Sequence, residues 1–504
     1  MKIAYAALVV LTLIVGTRFA REFTSAVQSS RDNTLHAAPN IVTHSARSHP
    51  APGTGSLTSL EARPELVGRP QSQPIPQPVA DELVSTIPVA GPKAATAGNK
   101  PIRHPGNQQD NIVLPGDFEY LGAFRPPHIE GLTSSFSYGG AAIAFHANGD
   151  QSAGNDGFPG SLFMVGHIYD QQVAEISIPK PVISHRHSMD DLEVSELLQP
   201  FGDISGGIQA AMTTNDSQPF RIGGLQVTGN ALHWTQFRYY NVEGYDFLSH
   251  GLSSLSVQRP MAAGPWHLGP FESGAPEWHA YKHAGYICDV PDSMTAQLGG
   301  RTMLSGLQIS TGLQTSSQGP ALFAYSLPEG LPAAGTSLDA VPLLWYSMDR
   351  PLADHHPADS WTGAAWLTIG NEQSVVVIGR KATGPVYYGE GRPQDCTDSK
   401  GYHGPPYETQ AVFYSADELL QVANGQRQAF DIQPAYRWSS QSTGGGLSQY
   451  LFPTCDQSLG GLAYDRNNNL LYLVQLEAGT TEDNPYEPLP IIHIFRITAQ
   501  PAAT

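Results

Sequence analysis

At 504 residues, with 40% hydrophobic and only 14% charged residues, the chain is too apolar for a disordered protein and too long for one small core. Its 27 basic against 45 acidic residues leave a net charge of −18, which argues against nucleic acid or an anionic membrane surface as partner and asks for a locally basic pocket if the substrate is anionic. The 3 cysteines, Cys288, Cys396 and Cys455, are too few for a disulfide scaffold and allow at most one bridge.

Met1-Lys2 precedes an apolar run from Ile3 to Gly16 and then Thr17-Arg18. A basic start before an apolar stretch of that length predicts export, to the medium, the periplasm or the cell surface. Residues 1–20 read as a signal peptide or, because Arg18 stands where a cleavage site wants a small residue, as an uncleaved N-terminal anchor that would be the chain's one contact with a membrane. Residues 21–110 are rich in Pro, Ser and Ala without a sustained period of 2 or 3.6, which predicts a flexible spacer.

From 111 to 497 short apolar or alternating runs recur between Gly, Asn, Asp and Pro clusters, among them GGAAIAF at 139–145, SLFMVGHIYD at 161–170, ALHWTQFRYY at 231–240, SVVVIG at 374–379 and IIHIFRI at 491–497. These read as strands, and ADELLQVA at 416–423 is the one convincing helical turn, so the domain is all-β. The stretch from GGAAIAF through VAEISI resembles the stretch from GGLAYD through IIHIFRI: a Gly-Gly start, then three strands joined by turns. Repeated units of this kind predict a β-propeller, and a blade length of roughly 55 residues predicts seven blades. DFEYLGAF at 117–124 is placed to complete the last blade; a pair of β-sandwiches is the alternative architecture.

Titratable and aromatic residues gather in the first two units: His146, the run Gly166-His167-Ile168-Tyr169-Asp170, the run Phe237-Arg238-Tyr239-Tyr240-Asn241, then Tyr245, His250 and Arg259. Taken singly, such residues are more often half-buried blade packing than catalysts. With the run Phe118 to Pro126, SFSYGGAAIAFHANGD and GSLFMVGHIYD, they resemble the seven-bladed propeller polysaccharide lyases that cleave ulvan. That resemblance implies an exported lyase that cuts a sulfated, uronate-containing polysaccharide by β-elimination and leaves a 4,5-unsaturated uronate end; such a reaction needs no organic cofactor, and a monomer is expected. It also implies a site of two histidines, a tyrosine and an arginine, which by position are His146, His167, Tyr240 and Arg259, with Tyr239, Tyr245 and Arg238 competing for the last two roles.

The chemistry suits those residue types. Elimination removes the C5 proton beside a carboxylate, so a cation must first neutralise that carboxylate; Arg does so bidentately, a neutral His serves as base, and a Tyr protonates the leaving oxygen. One geometric objection stands. An antiparallel hairpin puts His146 and His167 at opposite ends of their strands, roughly 20 Å apart at about 3.3 Å per residue, so His167 with Tyr240 is the better pair.

A second constellation, Asp395-Cys396 to Tyr402-His403 with Cys455 further on, has the residue types of a structural zinc site formed by Cys396, His403 and Cys455; a Cys396–Cys455 disulfide or buried free thiols are the alternatives. His185, His187 and the Asp354-His355-His356 run read as surface-loop residues, and Asn467-Asn468-Asn469 reads as a hairpin turn. Two other functions fit the same fold: a non-catalytic exported propeller that binds glycan or protein, and a propeller hydrolase with paired carboxylates.

Overall fold

The computed structural model describes residues 111–150, 158–212, 219–238, 248–269, 285–306, 317–328, 330–396, 400–439, 442 and 446–499; the expected signal or anchor at 1–20 and the spacer at 21–110 lie outside them. Among the described residues, strands form five large sheets and one two-stranded hairpin.

In chain order, β1 (Phe118–Phe124) precedes blade 1, which is β2 (Ile143–His146), β3 (Ser161–Val165), β4 (Val173–Ser177) and β5 (Leu197–Gly202). Blade 2 is β6 (Phe220–Thr228), β7 (Ala231–Arg238), β8 (His250–Ser254) and β9 (Ala263–Leu268). Blade 3 is β10 (Ile287–Asp289), β11 (Met303–Ser305), β12 (Leu322–Tyr325) and β14 (Ala340–Leu344), while β13 (Ser337–Leu338) pairs parallel with β9 of blade 2. Blade 4 is β15 (Ser360–Ile369), β16 (Glu372–Ala382), β19 (Tyr407–Ser415) and β20 (Tyr436–Ser439), with the hairpin of β17 (Tyr387–Gly389) and β18 (Gly401–His403) inserted between its second and third strands. Blade 5 is β21 (Leu459–Asp465), β22 (Leu470–Gly479) and β23 (Leu489–Ile497), completed by β1 at its outer edge.

The blades close into a ring through their first strands. β2 touches β6, β6 touches β10, β10 touches β15, β15 touches β21, and β21 returns to β2. Pairing of β1 with β23 ties the two ends of the domain together, as the DFEYLGAF run predicts, and covers an edge that would otherwise template aggregation.

The apolar core is divided among the five gaps between blades, which explains the uninterrupted hydrophobic runs. Side chains alternate across a strand, so a blade packed on both faces needs apolar residues at every position. In β16, Val375 and Val377 pack against blade 3, whereas Val376 and Ile378 pack against blade 5. Likewise Ala144 and Phe163 face blade 2, and Ile143 and Met164 face blade 5. Trp234, Trp266 and Trp366 fill three of these gaps and are fully buried; rings of that size are worth about 3–5 kcal/mol each on truncation to alanine. Near the axis the first strands approach so closely that side chains do not fit. A Cβ on Gly460 would lie 2.2 Å from the Gly140 carbonyl oxygen, and one on Gly461 would lie 2.5 Å from the Ile143 nitrogen. The two Gly-Gly pairs that mark the repeat in the sequence therefore meet across the seam where the ring closes.

The expected seven blades are corrected to five. The length argument assumed roughly 55 residues per blade; here the blades spend more chain on connections, and apparent extra strands join existing blades, as VYYG does in the inserted hairpin and Ser337–Leu338 does at the edge of blade 2. The helix Ala416–Ala423 forms where ADELLQVA predicts it, and Asn469, at φ 55, supplies the left-handed residue of the β21–β22 turn.

Candidate functional site

In every blade the first strand starts on one face of the ring, here called the upper face, and ends on the lower face. Second strands end, and third strands begin, at the upper face. On this face a cleft of about 270 Å³ opens between blades 1, 2, 4 and 5, where β2, β6, β15 and β21 begin. Tyr138, Gln171, Arg221, Thr362, Arg380, Tyr402 and Glu477 supply most of its polar lining.

Each polar group is positioned by the strand that carries it. Arg380 ends the apolar run of β16, where its guanidinium stacks 4.1 Å from the centre of the Tyr407 ring and its Nη1 donates to Asp456 Oδ2 at 3.2 Å. Asp456 also accepts hydrogen bonds from the backbone N–H and the hydroxyl of Ser458. Lys381, the next residue along β16, donates to Asp359 Oδ2 at 2.9 Å, and Asp359 accepts from the backbone N–H groups of His356 and Ala382 as well. Asp359 is thus satisfied and fixes the approach to β15. Gln171, at φ 53, spans blades 1 and 2: its Oε1 accepts from Ile222 N–H at 2.6 Å and its Nε2 donates to the Ile168 carbonyl. Glu477 sits at φ 47 within an irregular stretch of β22, and partial desolvation at the cleft, with Asp456 beside it, holds its carboxyl above the usual range.

His167 lies on the β3–β4 connection at the rim of this cleft. Its ring meets Tyr138, a cleft residue, edge-on at 5.7 Å, and its Nδ1 accepts from the backbone N–H of Tyr169. Arg238 closes β7 on the same face, 4.5 Å over the Phe220 ring. Tyr240, with Tyr239 and Tyr245, lies outside the described residues.

Two residues assigned to catalysis are not brought to this cleft. His146 ends β2 on the lower face, where its Nδ1 lies 3.0 Å from Glu175 Oε1, and Glu175 also takes hydrogen bonds from Ser161 and Gln199. Burial pushes the Glu175 carboxyl up, but these hydrogen bonds win and hold it below the usual range. His146 is thus a hydrogen-bonding partner of Glu175, at the far end of the hairpin from His167. Its replacement by Ala should leave turnover intact while lowering stability by about 1–3 kcal/mol, read from urea unfolding alongside activity. Arg259 is exposed on the β8–β9 connection, at the opposite end of blade 2's strands from the β7–β8 connection; its neighbour Gln258 docks on the backbone of Pro200 and Phe201. The structure therefore does not bring Arg259 together with His167.

The zinc site is corrected too. Cys396 and Cys455 are joined in a disulfide, with their Cα atoms 5.7 Å apart, so neither has a thiolate to offer a metal. His403 stacks on Tyr387 at 5.0 Å and lies 4.0 Å from Asp395, which accepts from the Tyr387 hydroxyl. No group of three metal-binding side chains is present among the described residues. The disulfide instead staples the inserted hairpin of blade 4 to the chain leading into β21, directly beside Asp456. Replacing both cysteines by Ser should cost about 2–4 kcal/mol and shift the denaturant midpoint accordingly; an unchanged midpoint would show that the bridge restrains nothing. The histidines at 355 and 356, expected in a surface loop, are partly buried; His356 Nε2 lies 3.0 Å from the Gly384 carbonyl.

Sequence reasoning missed Arg221, Arg380 and Glu477. Each left a signal: a charged residue at the end of an apolar strand, in PFRIGG, VVVIGRKA and LVQLEAG, all at the upper face once the ring is assembled.

No protein-family model matches the chain, and no curated protein matches it. Among solved structures, a protein of the GH130 family of mannoside phosphorylases, described as containing glycoside hydrolases that target β-1,2 mannosidic linkages in Candida mannan, is similar at 11% identity and a TM-score of 0.34, covering 78% of this chain and 99% of that one. The endosialidase of phage phi92 is similar at 9% identity and a TM-score of 0.28, covering 77% of this chain and 53% of that one. The propeller itself rests on the closed ring of first strands.

Proposed function

We propose that this propeller is an exported enzyme that binds a uronate-containing polysaccharide across the upper mouth of its channel and cleaves it by β-elimination. The observation that carries the reading is the placing of two arginines, Arg221 from blade 2 and Arg380 from blade 4, on one cleft with His167 at its rim. A chain with net charge −18 needs a local basic site to hold an anion; Arg221 and Arg380 are cations lining this cleft, with Arg380 sharing its charge with Asp456. Neutralised by an arginine, the uronate carboxylate tolerates the charge that builds when the C5 proton leaves. His167, half-buried at the rim, accepts a long 3.3 Å hydrogen bond from Tyr169 N–H at Nδ1, which leaves the proton of the neutral ring on Nε2; the basic nitrogen is therefore Nδ1, which takes the C5 proton once substrate displaces that bond. Export agrees with the Cys396–Cys455 disulfide, since such bridges persist in oxidising compartments.

Incubating the purified protein with ulvan tests the reaction. Elimination raises ultraviolet absorbance in step with new reducing ends, because each cut creates an unsaturated uronate. New ends without absorbance would replace elimination by hydrolysis, and neither signal would leave a binding propeller. Hydrolysis is the second reading because a second carboxylate, Asp456, stands beside Glu477.

A further inference from the structure

Among the described residues lining the cleft, Glu477 is the carboxylate that the fold displays without using. β22 pairs regularly with β23 up to Gln475, opposite Ile491, and resumes at Gly479, opposite Leu489, so the intervening residues bulge from the ladder. Leu476 is half-buried and Ala478 buried on either side, while Glu477 is exposed to the cleft in the left-handed region at φ 47. A non-glycine residue held there is strained, and bulges of this kind re-aim a side chain next to a working site.

The base of the bulge is pinned. Gln475 exchanges hydrogen bonds with the backbone of Phe452, at 2.9 and 2.6 Å, and its Oε1 lies 3.1 Å from His493 Nε2. Beside it, Asp456 is held by Ser458 and Arg380 and anchored through its neighbour Cys455 to the blade 4 hairpin. Asp456 therefore has a cation and donors to keep it charged. Glu477 has no hydrogen bond or ion pair with the described residues.

We propose that Glu477 is the proton donor to the departing sugar oxygen, with Asp456 as the fixed second carboxylate of the site. The role rests on the cleft being a glycan-cleaving site, but not on the type of cleavage. In elimination the base takes the C5 proton, that C–H electron pair becomes the C4–C5 double bond, the C4–O bond breaks, and the leaving oxygen takes its bonding pair plus the proton of Glu477. In hydrolysis the same proton goes to the leaving oxygen while water attacks the anomeric carbon. Either way Glu477 ends as a carboxylate and regains its proton from solvent. The other charged and phenolic groups lining the cleft are Arg221 on β6, Arg380 on β16, Asp359 ahead of β15 and the phenols of Tyr138 and Tyr402, and Asp456 ahead of β21 stands beside Glu477. Of these, Asp456 is the like charge that favours a protonated Glu477, and its removal should weaken that preference.

The decisive comparison is Glu477→Gln on ulvan against a uronoside bearing a nitrophenyl ether at C4, whose leaving group needs no proton. The variant should lose about 10²–10⁴-fold on the polymer and stay near wild type on the aryl ether. Equal losses on both, or no loss on either, would overturn the assignment. Asp456→Asn should move the alkaline limb of the rate profile of the wild-type reaction to lower pH. If the wild-type protein cleaves no polysaccharide, the function proposed above falls, and carbon NMR of the Glu477 carboxyl still decides this residue. A titration above the ordinary glutamate range that drops in Asp456→Asn supports the donor geometry, whereas an ordinary titration in wild type overturns it.

Discussion

Acidification from about pH 6.5 to 4.5 should lower the urea midpoint of the domain steeply. His233 is buried and held neutral, its pKa pushed down from 6.5 to about 4, and His250 and His493 are pushed down to about 3, in each case chiefly by burial. In the unfolded chain each takes up a proton near pH 6.5, whereas in the fold it does so only at its depressed value. The unfolded state therefore binds more protons throughout that window. Stability is full above pH 6.5 and falls as the pH drops, by about 1.4 kcal/mol per pH unit for each such histidine. His493 is the most informative of the three, because its Nδ1 lies 3.0 Å from the Tyr120 hydroxyl and its Nε2 meets Gln475, so it locks β1 onto blade 5. Its replacement by Gln should flatten the pH dependence by about one histidine's share while lowering stability at pH 7. A midpoint that does not move between pH 6.5 and 4.5 would show that these side chains reach solvent.

Arg380→Lys should lower kcat/KM about 10²–10³-fold while the fold survives. Lysine keeps the charge but loses the planar fork that pairs with Asp456 and the stack on Tyr407, so both the carboxylate contact and the orientation of the site degrade. Arg259→Lys is the matched control. It sits on the β8–β9 connection, away from the upper cleft, and its replacement should leave kinetics and denaturant midpoint unchanged. Loss of activity in the control and none in the Arg380 variant would move the site to the lower face.

The sequence disclosed the strands, the repeat and the closure more fully than it disclosed the site, and the reason is physical. Apolar runs such as SVVVIG announce a strand buried on both faces, and Phe118–Phe124 announces its role by pattern alone. Blade number did not follow, because connections consume chain without leaving a period. The site is assembled from strand ends far apart in sequence: Arg221, Arg380 and Glu477 each look like an ordinary polar terminus until the ring brings three blades together. His146 shows the opposite limit. It lies close to His167 in sequence, but a hairpin turns that closeness into separation across the ring. The cysteines illustrate a third limit, since the same residues serve a metal or a disulfide and only the positions of their Cα atoms decide between them.

Binding of substrate at the upper mouth, as proposed, is checked by hydrogen exchange of the protein with and without a uronate oligosaccharide. Protection is expected at the starts of β2, β6, β15 and β21 and around Gly401–His403 and Glu477. Protection confined to the lower face, around His146 and Arg259, would contradict it.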